Sequence, residues 1–195
     1  MGTRSDPRSA APVTWHWPAA NLIGFPVGGY IADLAVNGVD SVGAALLGGA
    51  IVGAFVGAAQ WFALRQHVSG LWVPATTFGM AVGLLAGAAL VDYGIARGDL
   101  AIMGAVTGLG VGAMQALVLA RDRIQGAVWW AVGNPPAWAL GWFVSSYVIS
   151  QNISERFPTF GASGAMVFAL LTWLLLTALF RRAAGVPATA PQAAA

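Results

Sequence analysis

The chain has 195 residues, of which 58% are hydrophobic and 8% are charged, and its formal net charge is +2. Soluble domains carry roughly 25% charged residues, so this composition predicts a protein that lies in a lipid bilayer. The absence of cysteine and lysine excludes disulfides, thiolate nucleophiles and lysine Schiff bases, and the small net charge does not indicate a nucleic-acid partner.

Six apolar segments follow one another along the chain, each near the roughly 20 residues that a helix needs to cross a membrane. We predict helices at about 17–37, 42–64, 71–92, 100–120, 127–150 and 159–180. Together they make a transmembrane domain over residues 15–182. Residues 1–14 are predicted to be a cytoplasmic tail without a cleaved signal peptide, and residues 183–195 a disordered tail.

The arginines are distributed unequally between the two sides of this domain. On the side of the N-terminus lie Arg4, Arg8, Arg65, Arg121, Arg123, Arg181 and Arg182, and on the other side lie Arg97 and Arg156. Because positive residues favour the cytoplasmic side, we expect a multi-pass protein of the inner or plasma membrane with both termini in the cytoplasm.

Small residues recur at helical spacing on the second, fourth and sixth predicted helices. The three stripes are Gly49, Gly53, Gly57 and Gln60, then Gly104, Gly108, Gly112 and Gln115, and in a softened form Gly161, Ala165, Ala169 and Thr172. Steps of four, four and three residues place each set on one helix face. Such stripes are typical of membrane helices that pack backbone to backbone.

The odd-numbered predicted helices share a second pattern that begins with a tryptophan. Its copies are Trp17, Asn21, Gly24 and Gly28, then Trp72, Thr76, Gly79 and Gly83, then Trp130, Asn134, Ala137 and Gly141. The tryptophans are expected to form a belt at the cytoplasmic membrane surface. The whole pattern predicts three tandem two-helix repeats, at about 15–70, 71–126 and 127–182, in a pseudo-threefold all-α bundle.

The repeats place six uncharged polar side chains at one depth of the bundle, in its cytoplasmic half. They are Asn21, Gln60, Thr76, Gln115, Asn134 and Thr172. One interpretation is a hydrogen-bonded clamp between helices, because an unpaired amide in hydrocarbon is costly. In that case the combined change Gln60→Leu and Gln115→Leu is expected to be nearly neutral. The other interpretation is the lining of a site for a small, uncharged solute.

Other candidate features are isolated. Pro135 and Pro136 remove two backbone donors, which predicts a kinked or broken fifth helix. Asp33 is expected to be a carboxylate at the outer interface, with a proton or cation site as the alternative. His16 and His67 have no third ligand in view, so no metal site is predicted.

Two resemblances to known families are present. Residues 161–164, GASG, resemble the GxSG motif of rhomboid intramembrane proteases, but both histidines precede Ser163 and no helix follows, so no enzyme is expected. Residues 17–182 are similar to uncharacterised bacterial six-span membrane proteins with repeated GxxxGxxQWxxLR segments. That resemblance depends on Gly53, Gly57, Gln60, Trp61, Leu64 and Arg65, and it implies no function.

Two functions follow from these patterns. The first is a small-solute transporter or channel whose site is the polar layer. The alternative is a non-transporting membrane subunit that binds a protein partner, a second copy of the chain, a lipid or a pigment through its glycine-rich faces. Trp138, Trp142 and Trp173 lie at mid-membrane depth, where they are expected in the core or beside a cavity that holds a pigment or lipid tail. The sequence indicates no particular cofactor.

Overall fold

The computed structural model describes the backbone of residues 13–148 and 153–183, and the side chains of residues 13–147 and 164–182. In these ranges the chain forms six α-helices and no strand, which confirms the prediction of an all-helical protein. The helices are α1 (His16–Val36), α2 (Val42–Leu64), α3 (Trp72–Leu90), α4 (Arg97–Arg121), α5 (Ala127–Val148) and α6 (Ile153–Ala183). The predicted tails lie almost entirely outside the described residues.

Five of the helices are long and apolar enough to cross a membrane: α1, α2, α3, α4 and the Gly164–Arg182 part of α6. This fits an integral membrane protein. The remaining helix, α5, has 22 residues and is also long enough. Its asparagine, two prolines and four tryptophans lower its hydropathy. More than the other helices, α5 therefore needs contacts with neighbouring helices to be stable inside a membrane.

The helices form a closed ring. Each helix packs against the helices that precede and follow it in sequence, and α1 packs against α6. The described loops, residues 37–41, 65–71, 91–96 and 122–126, are short, so the helices from α1 to α5 alternate in direction. We call the end where α1, α3 and α5 begin the tryptophan end, and the other the cavity end.

Glycines allow neighbouring helices to approach within backbone contact. A Cβ atom added at Gly53 would lie 2.8 Å from the Thr77 Cα atom of α3. A Cβ atom added at Gly108 would lie 2.7 Å from the Trp138 Cβ atom of α5. The same holds for Gly49, Gly57, Gly104 and Gly112, where the added atom would lie 2.6 to 2.9 Å from α3 or α5. Distances this short leave no room for any side chain, so these faces join α2 to α3 and α4 to α5.

The fifth helix runs without interruption through Pro135 and Pro136, so of the two predicted alternatives the break is not seen, and the kink stays a prediction. Proline fixes φ near a helical value, and the two missing N–H groups remove only the bonds to the carbonyls of Ala131 and Val132. The Ala131 carbonyl faces α4, where a Cβ atom added at Gly112 would lie 3.4 Å from its oxygen. Close packing of α4 against α5 therefore holds the helix together across both prolines.

Candidate functional site

Three tryptophans meet on the bundle axis at the tryptophan end. The rings of Trp17, Trp72 and Trp130 are 0% exposed, and their centroids are separated by 6.5, 5.9 and 6.0 Å. We call them the tryptophan triad. The prediction that they form a belt at the membrane surface is wrong, because each indole N–H has an acceptor inside the bundle and the ring needs no contact with water.

Each indole of the tryptophan triad donates to a side chain of an even-numbered helix. The bonds run from Trp17 Nε1 to Thr172 Oγ1 (3.0 Å), from Trp72 Nε1 to Gln60 Oε1 (3.1 Å) and from Trp130 Nε1 to Gln115 Oε1 (2.9 Å). The acceptors lie in α6, α2 and α4. The triad thus joins α1 to α6, α3 to α2 and α5 to α4.

Next to the triad, on its side toward the cavity end, the six predicted polar side chains lie together, each at most 1% exposed. We call Asn21, Gln60, Thr76, Gln115, Asn134 and Thr172 the polar network. Gln60 Nε2 donates to Asn21 Oδ1 (2.8 Å). Gln115 Nε2 donates both to Gln60 Oε1 (3.0 Å) and to Thr76 Oγ1 (2.8 Å). Amides of α1, α2 and α4 and the hydroxyl of α3 are therefore connected by side-chain hydrogen bonds.

The network lacks a hydrogen bond between α5 and α6, where Asn134 and Thr172 lie. Asn134 Nδ2 donates to the Trp130 carbonyl (2.8 Å), but the buried Asn134 Oδ1 has no hydrogen-bond partner. Asn21 and Thr76 each accept from a glutamine, whereas the corresponding position in α6 is occupied by the shorter Thr172. The Thr172 hydroxyl donates to the Phe168 carbonyl of its own helix (2.6 Å), so it does not reach Asn134.

A cavity of about 590 Å³ occupies the centre of the bundle at the cavity end. The rings of Phe25, Trp138 and Phe168 line its deep end, with centroids 5.0 to 5.6 Å apart. Its walls are aliphatic and come from all six helices, and they include the glycines Gly29, Gly48, Gly141 and Gly164. None of the six side chains of the polar network lines it. The cavity is therefore an apolar space separate from the network.

Five lining residues carry a charged or hydroxyl side chain. They are Asp33, Tyr93, Arg97, Ser145 and Ser146. All of them lie in the last turns of α1 and α5, in the first turn of α4 or in the loop before it, so they surround the mouth rather than the floor. The Arg97 Cζ atom lies 4.4 Å from the ring centroid of Tyr147. The site thus has an aromatic floor, an aliphatic wall and a polar mouth.

The remaining candidate residues do not come together. Asp33 is partly buried on the cavity wall. His16 is exposed and stacks on Trp15, whereas the His67 ring lies 4.6 Å from Phe180. No group of three metal-ligating side chains occurs among the described residues. Ser163 lies outside the part of the chain whose side chains are described.

Sequence reasoning did not find the cavity or three buried hydroxyl groups, those of Thr107, Ser145 and Ser146. One signal was present in part: the mid-membrane Trp138 and Trp142 both line the cavity. Trp173 lies elsewhere and donates from Nε1 to the Val13 carbonyl (2.9 Å).

Comparisons of the chain with protein-family models, with curated proteins and with solved structures gave no significant match. The polar network and the apolar cavity are therefore the two features on which a function can be argued.

Proposed function

We propose that this is a multi-pass protein of the cell membrane that binds an apolar molecule, such as a lipid chain or a pigment, in the cavity. The observation that carries the proposal is an apolar space of about 590 Å³ inside the bundle. Small-molecule sites are typically cavities of about 300–1,000 Å³, lined mainly by apolar and aromatic side chains with a few polar groups that fix orientation. The aromatic floor and the polar mouth follow that pattern.

The polar network supports a structural role for its six side chains. Most of its donors and acceptors are used within the bundle, and its members are at most 1% exposed. A solute entering there would have to break bonds between buried amides that find no replacement in hydrocarbon. The geometry therefore favours the clamp over the solute site.

Transport remains a second proposal because of one observation. The cavity reaches the loops at one end of the bundle, while the tryptophan triad fills the axis at the other. A transporter that alternates between two openings has a shape of this kind in one of its states. Its cargo would be the apolar molecule of the cavity.

We also propose the three tandem repeats and the orientation with both termini in the cytoplasm. The three indole bonds support the repeats, because each joins a tryptophan of an odd-numbered helix to a polar residue of the even-numbered helix before it around the ring. Binding of a partner through the glycine stripes has less support, since the stripe glycines of α2 and α4 face α3 and α5 of the same chain.

A pair of glycine substitutions in α2 tests the proposed binding. Gly48 lines the cavity, and a Cβ atom there would meet only Val36 Cγ2, at 3.4 Å, so Gly48→Leu fills the cavity without backbone conflict. Gly43 is exposed with no atom within 4 Å of an added Cβ, so Gly43→Leu is the matched control.

The assay is energy transfer from tryptophan to the neutral methyl ester of parinaric acid, measured in detergent at a fixed micelle concentration. We expect saturable transfer with the unmodified protein and with Gly43→Leu, because Trp138 and Trp142 line the cavity. Gly48→Leu should weaken binding at least about tenfold. The leucine takes the place of part of the probe, and the apolar contact that the probe loses is worth roughly 1.4 kcal/mol or more of binding free energy. Equal binding by both variants would show that the probe lies elsewhere and would refute the proposal.

A further inference from the structure

One charged residue at the mouth of the cavity, Arg97, contacts an aromatic ring. Arg97 lies at the start of α4 and lines the cavity, and its guanidinium carbon lies 4.4 Å from the centroid of the Tyr147 ring of α5. A guanidinium placed over an aromatic ring is attracted by the ring quadrupole. Arg97 and Tyr147 are both exposed, so the contact holds the guanidinium beside the ring at the solvent-facing rim of the mouth.

No hydrogen bond joins the Arg97 N–H groups to a residue whose side chain is described. These donors form a fork that matches the two oxygens of a carboxylate or a phosphate. Ser145 and Ser146, which are 4% and 7% exposed, line the same mouth from α5. The Ser146 hydroxyl donates to the Phe143 carbonyl at 2.6 Å, which leaves its oxygen lone pairs as acceptors. Arg97 is thus the group at the mouth best suited to an anion.

The mouth also limits how much negative charge it can accept. The carboxylate of Asp33 lines the cavity together with Arg97, so the two formal charges cancel. A head group with a single negative charge would therefore be favoured over one with several. Behind the mouth, the walls are mainly apolar down to Phe25, Trp138 and Phe168, and the buried Trp138 Nε1 has no hydrogen-bond partner among the described residues.

We infer that the occupant of the cavity is an amphiphile with one apolar chain and one oxyanion head group, and that Arg97 binds this head group at the mouth. The inference rests on the proposed binding function and adds the chemical class of the ligand. The oxyanion can be the carboxylate of a fatty acid or the phosphate of a single-chain phospholipid, because both present the same paired oxygens to the guanidinium.

Two probes with the same chain separate this inference from the proposed function. Parinaric acid carries the carboxylate and its methyl ester does not, and both are measured at a pH at which the acid is ionised. A charge-assisted hydrogen bond contributes about 1.5–3 kcal/mol, so the unmodified protein should bind the acid at least about tenfold more tightly than the ester. Arg97→Gln should remove this preference and leave the affinity for the ester unchanged.

A second stacked arginine provides the matched control. The Arg65 Cζ atom lies 4.6 Å from the ring centroid of Phe62, outside the cavity, so Arg65→Gln should leave the affinities for both probes unchanged. Arg97→Lys keeps the charge without the fork and should retain only part of the preference. Competition with oleate and with a lysophosphatidylglycerol of equal chain length, whose phosphodiester carries one negative charge, then distinguishes the carboxylate from the phosphate.

The outcomes separate the two proposals. If the unmodified protein binds acid and ester equally, or if Arg97→Gln keeps the preference for the acid, the head-group site is refuted and the apolar binding function stands. If neither probe binds in a saturable way, both the inference and the proposed function are refuted.

Discussion

Replacing Gln115 by leucine should destabilise the bundle strongly, because Gln115 makes three side-chain hydrogen bonds, as many as Gln60. It donates to Gln60 and Thr76 and accepts from Trp130. Side-chain hydrogen bonds in membrane proteins average about 0.6 kcal/mol, so three of them contribute about 2 kcal/mol. The change also leaves the buried Trp130 N–H without an acceptor, which raises the cost toward about 4 kcal/mol.

The measurement is the free energy of unfolding in mixed micelles with increasing denaturing detergent, followed by circular dichroism. Leu174→Ile is the control, since Leu174 is 66% exposed and its replacement should cost little. If Gln115→Leu lies within about 0.5 kcal/mol of the unmodified protein, the network does not hold the helices together and the clamp reasoning fails.

A double-mutant cycle tests the physical reason for this cost. Trp130→Phe removes the donor that Gln115→Leu leaves unpaired, so the combined change should cost about 1 kcal/mol less than the sum of the single changes. The structure also alters an expectation from the sequence. Changing Gln60 and Gln115 together to leucine leaves the indoles of Trp72 and Trp130 without acceptors, so this double variant should be strongly destabilised rather than nearly neutral.

Three further predictions concern the network, the helix faces and the topology. Thr172→Gln should raise the free energy of unfolding by about 1 kcal/mol, because a glutamine there can accept from the Trp17 indole and donate to the unpaired Asn134 Oδ1. A decrease would show that there is no space for the longer side chain between α5 and α6. Gly112→Leu should lower the melting temperature in detergent far more than an exposed leucine substitution, and an unchanged melt would show that α4 and α5 do not touch there. Single cysteines at Ser5 and Ser41 should be labelled from opposite sides of the membrane; labelling of both from outside would overturn the proposed orientation.

The helices could be predicted closely because hydropathy and small-residue spacing are local properties of the chain. The prediction of 42–64 for α2 agrees with the observed Val42–Leu64. In contrast, α4 begins at Arg97 rather than near residue 100, since Asp99 accepts from the Ala96 N–H (3.1 Å) and stabilises a polar first turn that hydropathy does not detect. The start of a helix depends on such caps as much as on apolar content.

The surroundings of the tryptophans were harder to predict because the two rules involved compete. Aromatic belts are common at membrane surfaces, and Trp17 lies near a helix start, as a belt residue would. The acceptor that buries it, Thr172, is 155 positions away in sequence. The cavity could not be predicted from the sequence for a similar reason. It exists where Gly48 leaves space across the bundle, and no pattern within one helix shows which helices face each other.

The contact between α1 and α6 has a consequence for how the sequence encodes the bundle. Because the first and last helices are neighbours, the arrangement is a cycle, and no helix lies at an edge. Cutting the chain in the loop at residues 65–71 and joining the region after α6 to the region before α1 by a linker would keep every helix between the same two neighbours. Such a circularly permuted chain should reach the same bundle. The order of amino acids thus specifies a cycle of neighbours, and the packing of the helices does not depend on the loop at which that cycle is opened.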